Sequence, residues 1–172
     1  MKRFLVVGHR RYRRPEEVTS TRWDWHLMQK LPCVSADNTP QAFERLQKIG
    51  LFPELCFYVD LLPPGNNDTA EDRRRAAHYV RGLADAFGLI IVPLGRLVSE
   101  AFAMIDPRTQ GRIGETCYGV LSIPNPHNKL TEWWNQGNID MLRNEVERLI
   151  DSDDFVDGVE VDVVNDAIRA ME

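Results

Sequence analysis

The chain has 172 residues, 43% hydrophobic and 27% charged, which suits one globular domain able to bury a core without disulfide or metal staples. No apolar segment approaches the roughly 18 residues of a membrane span, and the opening MKRFLVVGHRR has too short an apolar run for a secretory leader, so no membrane partner and a cytoplasmic location are expected. The net charge of −5 is uneven: from Asp151 onward eight carboxylates against Arg169 amount to −7, leaving +2 on residues 1–150.

In chain order, residues 4–7 are nearly all apolar and enter Gly8, the pattern of a buried parallel strand. Residues 9–38 are polar and lack a sustained period; connections this long are often functional or locally helical. Asn38-Thr39-Pro40 is a cap signal for a helix running to about Ile49 and ended by Gly50. ELCFYVD gives a second strand that runs out at Asp60, followed by the turn PPGNN. Asp68 or Thr69 then caps a helix with Ala76, Val80, Leu83 and Phe87 on one face, stopped by Gly88.

LIIVPLG predicts a third strand, Gly95 a tight turn, and residues 96–104 a helix. CYGVLSI predicts a fourth strand, followed by the loop PNPHNKLTEWWNQG and a helix with Ile139, Leu142, Val146 and Leu149 on one face. Residues 151–172 read as an acidic appendage to a domain spanning 1–150. Cys33, Cys56 and Cys117 are odd in number and show no CxxC spacing, which fits a reducing compartment and three inert thiols. The four histidines show no zinc-binding spacing.

Strands alternating with amphipathic helices predict an α/β sandwich with a mostly parallel sheet. Ligands bind such sheets beyond the carboxyl ends of the strands, here residues 9–14, 60–67, 95–96 and 124–128. Arg10, Arg11, Arg13 and Arg14 follow the first strand directly, and their forked guanidinium groups suit phosphate oxygens. Gly95 and Arg96 open a helix whose free N–H groups can also receive an anion.

The order of these segments resembles the uracil-DNA glycosylase superfamily, nearest to its thermophile-type class. PPGNNDTAEDRRRAAHYV follows LCFYVD as a PPGN turn and acidic helix start follow that class's second strand. GLIIVPLGRLVSEAF is similar to its next strand, LGR turn and helix, and VLSIPNPHNKLTEWW stands where the superfamily has a strand leading into a His-Pro-Ser loop. The resemblance covers residues 4–10 and 40–150 and implies a three-layer α/β/α sandwich around a mostly parallel, four-stranded sheet. It also implies an N-glycosidic-bond hydrolase acting on a pyrimidine in DNA or in a nucleotide.

The chain departs from that pattern at the chemically important positions. The first motif, Gly8-His9-Arg10-Arg11-Tyr12, lacks the family's proline and second glycine, leaving His9, Glu16, Glu17 or Asp24 to position water. Three scattered cysteines do not reproduce the four that bind an iron–sulfur cluster, so no cofactor is expected. Asn125 occupies the catalytic histidine position and His127 that of the serine; Asn125 donates through its amide but cannot become cationic, whereas His127 donates in either protonation state.

Asp60 stands where the family's base-reading asparagine is expected. An ionised aspartate only accepts, which suits an exocyclic amine and so an amino-bearing or modified pyrimidine. Asp60 could instead cap the following turn, or orient water. Gly8, the arginine cluster, Gly95 and Arg96 are assigned to binding the nucleotide. Leu130 is the candidate wedge entering the base stack during flipping, and Trp133 a candidate stacking platform, with Trp134, Trp23 and Trp25 as alternatives. Two other readings remain open: a non-catalytic nucleotide- or nucleic-acid-binding protein on the same fold, and an interaction module whose acidic tail meets a basic protein.

Overall fold

The computed structural model describes residues 2–10, 39–62, 67–126 and 131–152. It is a mixed α/β fold in which four helices pack against a five-stranded sheet of order β2-β1-β3-β5-β4. The strands are β1 (Phe4–Arg10), β2 (Cys56–Leu62), β3 (Ile90–Pro93), β4 (Thr116–Cys117) and β5 (Val120–Leu121). The helices are α1 (Thr39–Lys48), α2 (Ala70–Phe87), α3 (Arg96–Ile105) and α4 (Gln136–Ile150).

The interior strand β1 pairs in parallel with β2 on one side and β3 on the other, and β3, the middle strand, pairs in parallel with β5. Strand alternation sends successive residues of β1 into different cores. Leu5 and Val7, with Phe57 and Val59 of β2, meet Ala76, Val80 and Leu83 of α2 and Val98 and Phe102 of α3. Phe4 and Val6, with Cys56 and Tyr58, meet Leu46 of α1, Ile49 just past its end, and Ile139, Leu142, Val146 and Leu149 of α4. Each face of the sheet thus carries two helices, and each large apolar side chain buried this way contributes roughly 1.5–3 kcal/mol.

Helix ends follow local chemistry. The Thr69 hydroxyl accepts from Asp72 N–H at 3.1 Å, and acidic residues Glu71 and Asp72 occupy the positive end of the α2 dipole. At its other end Leu89 N–H reaches back to the Ala84 carbonyl while Gly88 N–H reaches Asp85, and buried Leu89 seals the turn. The same pair of bonds, Leu51 to Leu46 and Gly50 to Gln47, closes α1.

The single fourth strand expected over CYGVLSI is instead a hairpin, making five strands rather than four among the described residues. Cys117 pairs antiparallel with Val120, and the two residues between them, Tyr118 (φ 49) and Gly119 (φ 77), are both left-handed. That geometry matches the twist of a two-residue hairpin. A hydrophobic pattern runs straight through it because tyrosine, rather than asparagine or aspartate, holds the first turn position. The Tyr118 ring is exposed and carries the Arg108 guanidinium at 4.2 Å from its centroid.

Candidate functional site

Two sequence-predicted residues meet toward the carboxyl end of the two longest strands, though Asp60 does not end its strand as expected: pairing continues to Arg10 and Leu62. Gly8 is paired with Asp60 in the parallel register, and a Cβ on Gly8 would lie 2.6 Å from Asp60 Oδ1. Only glycine leaves room for the carboxylate there. Both Asp60 oxygens are shut away from solvent. By the alternation that buries Phe4 and Val6, Gly8 and Asp60 face the α1/α4 layer, whereas His9 faces the α2/α3 layer.

His9 is tied down on its own side. Its Nε2–H donates to Asp68 Oδ1 at 3.0 Å, and Arg73 Nη1 donates to the same oxygen at 2.6 Å and to the Asp68 carbonyl at 2.9 Å. Burial pushes the Asp68 carboxyl upward, but the hydrogen bonds and charges of His9 and Arg73 outweigh it and hold the group below its usual range. Asp68 adopts a left-handed φ of 56°, which brings its side chain and carbonyl together onto Arg73. The sequence offers Asp68 as one of two caps for α2; Thr69 takes that role, freeing Asp68 to bind His9.

A second group of predicted residues gathers beyond β3 and β5. Gly95, with φ 96 and ψ 164, occupies backbone space that essentially only glycine uses, and a Cβ there would sit 3.3 Å from Asn125 Nδ2. Gly95, Arg96, Ser99 and Glu100 on one wall and Ser122 and Asn125 on the other enclose a cleft of about 480 Å³. The mouth of α3 opens into it without a side-chain cap on its first N–H groups. Arg96 is 83% exposed and meets Glu100 at 3.5 Å, a solvated pair that holds it only weakly.

Arg45 carries no sequence signal, because a basic residue on an amphipathic helix reads as surface. It is nevertheless only 5% exposed, donates from Nη1 to the Pro126 carbonyl at 3.0 Å, and lies 5.3 Å from the Trp134 ring centroid. The guanidinium thereby holds the carbonyl of Pro126, the residue after Asn125. Trp133 packs edge-on to Trp134 at 5.2 Å, and both half-buried rings lean on the α1/α4 core. Of the thiols, Cys56 is buried and pushed up to about 12 by that burial, which makes it inert, and Cys117 is half-buried.

The predicted residues Arg11, Arg13, Arg14, His127 and Leu130, the turn at 63–66 and the acidic segment beyond Ser152 lie outside the described residues, as do Cys33, Trp23, Trp25, Glu16, Glu17 and Asp24. Arg10 continues β1 opposite Leu62. Among the described residues no cluster of His, Cys, Asp and Glu is arranged to hold a metal ion, and no helix is long and apolar enough to cross a membrane. No family model matches this chain, and no curated protein matches it.

Proposed function

We propose that this protein is an atypical N-glycosidic-bond hydrolase on a uracil-DNA glycosylase-like α/β/α sandwich, acting on an amino-bearing or modified pyrimidine in DNA or in a nucleotide. The observation that carries the reading is the pairing, at the carboxyl side of the sheet, of residues that stand at the resemblance's motif positions although two of them differ from its residue types: Gly8 against Asp60, and Gly95 against Asn125 beside an open cleft. Such hydrolysis needs the leaving base held and its developing charge met by donors, water oriented at the anomeric carbon, and the phosphate fixed. Asn125 is the donor to the leaving base, Asp60 the acceptor beneath it, and Arg96 with the α3 N–H groups the anion site.

The decisive experiment measures release of free base by the purified chain from single-stranded DNA, duplex DNA and mononucleotides containing uracil, cytosine or a modified pyrimidine. Cytosine or a modified base should be preferred over uracil. Asp60→Asn should shift that preference toward uracil, and Asn125→His should raise the rate by about tenfold or more. Equal handling of uracil and cytosine, unchanged by Asp60→Asn, would sink the base assignment.

A second reading, nucleotide binding without turnover, is favoured by one feature of the cleft. Its only ionisable lining residues, among those described, are Arg96 and Glu100, which pair with each other. Saturable nucleotide binding with no base released from any substrate would select it.

A further inference from the structure

We propose that Asp68 and Arg73 convert His9 into an oriented base that activates the attacking water, with Asp68 as the positioning residue; this rests on the hydrolase reading above. His9 sits 59 residues from Asp68 in the chain, near the carboxyl end of β1, with 31% of its side chain exposed. An ionised carboxylate can only accept, so the Nε2 facing Asp68 must carry the ring proton. In the neutral ring this leaves the lone pair on Nδ1, on the side of the ring away from Asp68.

Arg73 makes the arrangement durable. Its Nη1, at 2.6 Å from the same Asp68 oxygen, matches the carboxylate charge and fixes the side chain, and Arg73 is itself anchored on α2 with only 14% exposure. The left-handed Asp68 backbone adds a second bond from Arg73 to its carbonyl. Two strongly placed donors thus converge on one oxygen where a helix cap alone would need neither, since Thr69 already performs that task.

The sheet supplies the remaining requirement. Displacement at an anomeric carbon brings water in on the side opposite the leaving base. His9 points toward the α2/α3 layer while Gly8 and Asp60, one position away, face the α1/α4 layer. A sugar lying across the strand ends would present its base to the Asp60 side and its opposite face to His9. In the step, the water oxygen bonds to C1′ while a water proton passes to His9 Nδ1. The C1′–N bond breaks with its electron pair leaving on the base, which takes a proton from solvent on its own side, while the imidazolium gives its proton to solvent and neutral His9 is restored.

The test pairs a spectroscopic with a kinetic readout on the full chain. Nitrogen-15 NMR of the histidine rings, with the His9 signals assigned by loss in His9→Gln, should show His9 as the Nε2–H tautomer. Asp68→Gly tolerates the left-handed backbone and removes the carboxylate; it should give a tautomer mixture and lower kcat for base release by about 10²-fold with KM little changed. His9→Gln should lose as much, and the double variant no more than either. Unaltered His9 signals in Asp68→Gly, or losses that multiply in the double variant, overturn the proposal while an active wild type keeps the hydrolase reading. A wild type that releases no base overturns both.

Discussion

Arg45 Nη1, on α1, donates at 3.0 Å to the carbonyl of Pro126, the residue after Asn125. A buried cation rests on a main-chain oxygen of the site loop, and the Trp134 ring at 5.3 Å completes its enclosure. Arg45→Met leaves that carbonyl without its donor and should cost about 1–3 kcal/mol. Urea unfolding should show a lower midpoint at an unchanged slope. Arg45→Lys keeps charge but loses the planar fork, so it should recover only part of the loss.

The contact between Gly8 and Asp60 predicts a coupling. Gly8→Ala places a Cβ 2.6 Å from Asp60 Oδ1 and should destabilise the fold by about 1–3 kcal/mol. In an Asp60→Ala background the same substitution should be much milder, because the obstructing oxygens are gone. A double-mutant cycle by chemical denaturation measures the difference, and simple additivity would contradict the packing described.

Two glycines should respond to alanine with opposite signs. Gly95, at φ 96 and against Asn125, should lose about 1–3 kcal/mol on conversion to alanine. Gly82 lies exposed in the middle of α2 with open space around a Cβ, so Gly82→Ala should gain about 0.5–1 kcal/mol. Thermal melts of the two variants provide the comparison.

Acid should remove the stability contributed by Asp68. Burial opposes its ionisation, but His9 and Arg73 lower its folded pKa below the unfolded value of about 3.9. The contribution is therefore present above that unfolded value and is lost as pH falls through the folded one. Urea midpoints measured between neutral pH and about pH 2 should fall less steeply with acid in Asp68→Asn than in wild type.

Much of the fold is legible in local chemistry. The Ala76-Val80-Leu83 stripe of α2 and the Ile139-Leu142-Val146-Leu149 stripe of α4 are buried as their spacing predicts. The all-apolar runs of β1 to β3 become strands covered on both faces. The hairpin at Tyr118-Gly119 escapes detection because a turn built on two left-handed residues normally announces itself by asparagine or aspartate, and here a ring stacked under Arg108 stands in that place.

For the candidate site, the residue types and their place toward the carboxyl side of the sheet come from the sequence, but the strand ends do not: β1 runs on through polar His9 to Arg10 and β2 runs past Asp60 to Leu62, because the parallel ladder continues beyond the apolar run. Which of those residues touch is decided only by the parallel register and the helix packing. Gly8 reaches Asp60 across 52 positions because β1 and β2 pair in one particular alignment. His9 finds Asp68 and Arg73, and Arg45 finds Pro126, because helices on opposite faces return to the same edge. Periodicity reports which face a residue occupies, not which distant group will share it, and the partnerships of polar side chains lie in the second of these.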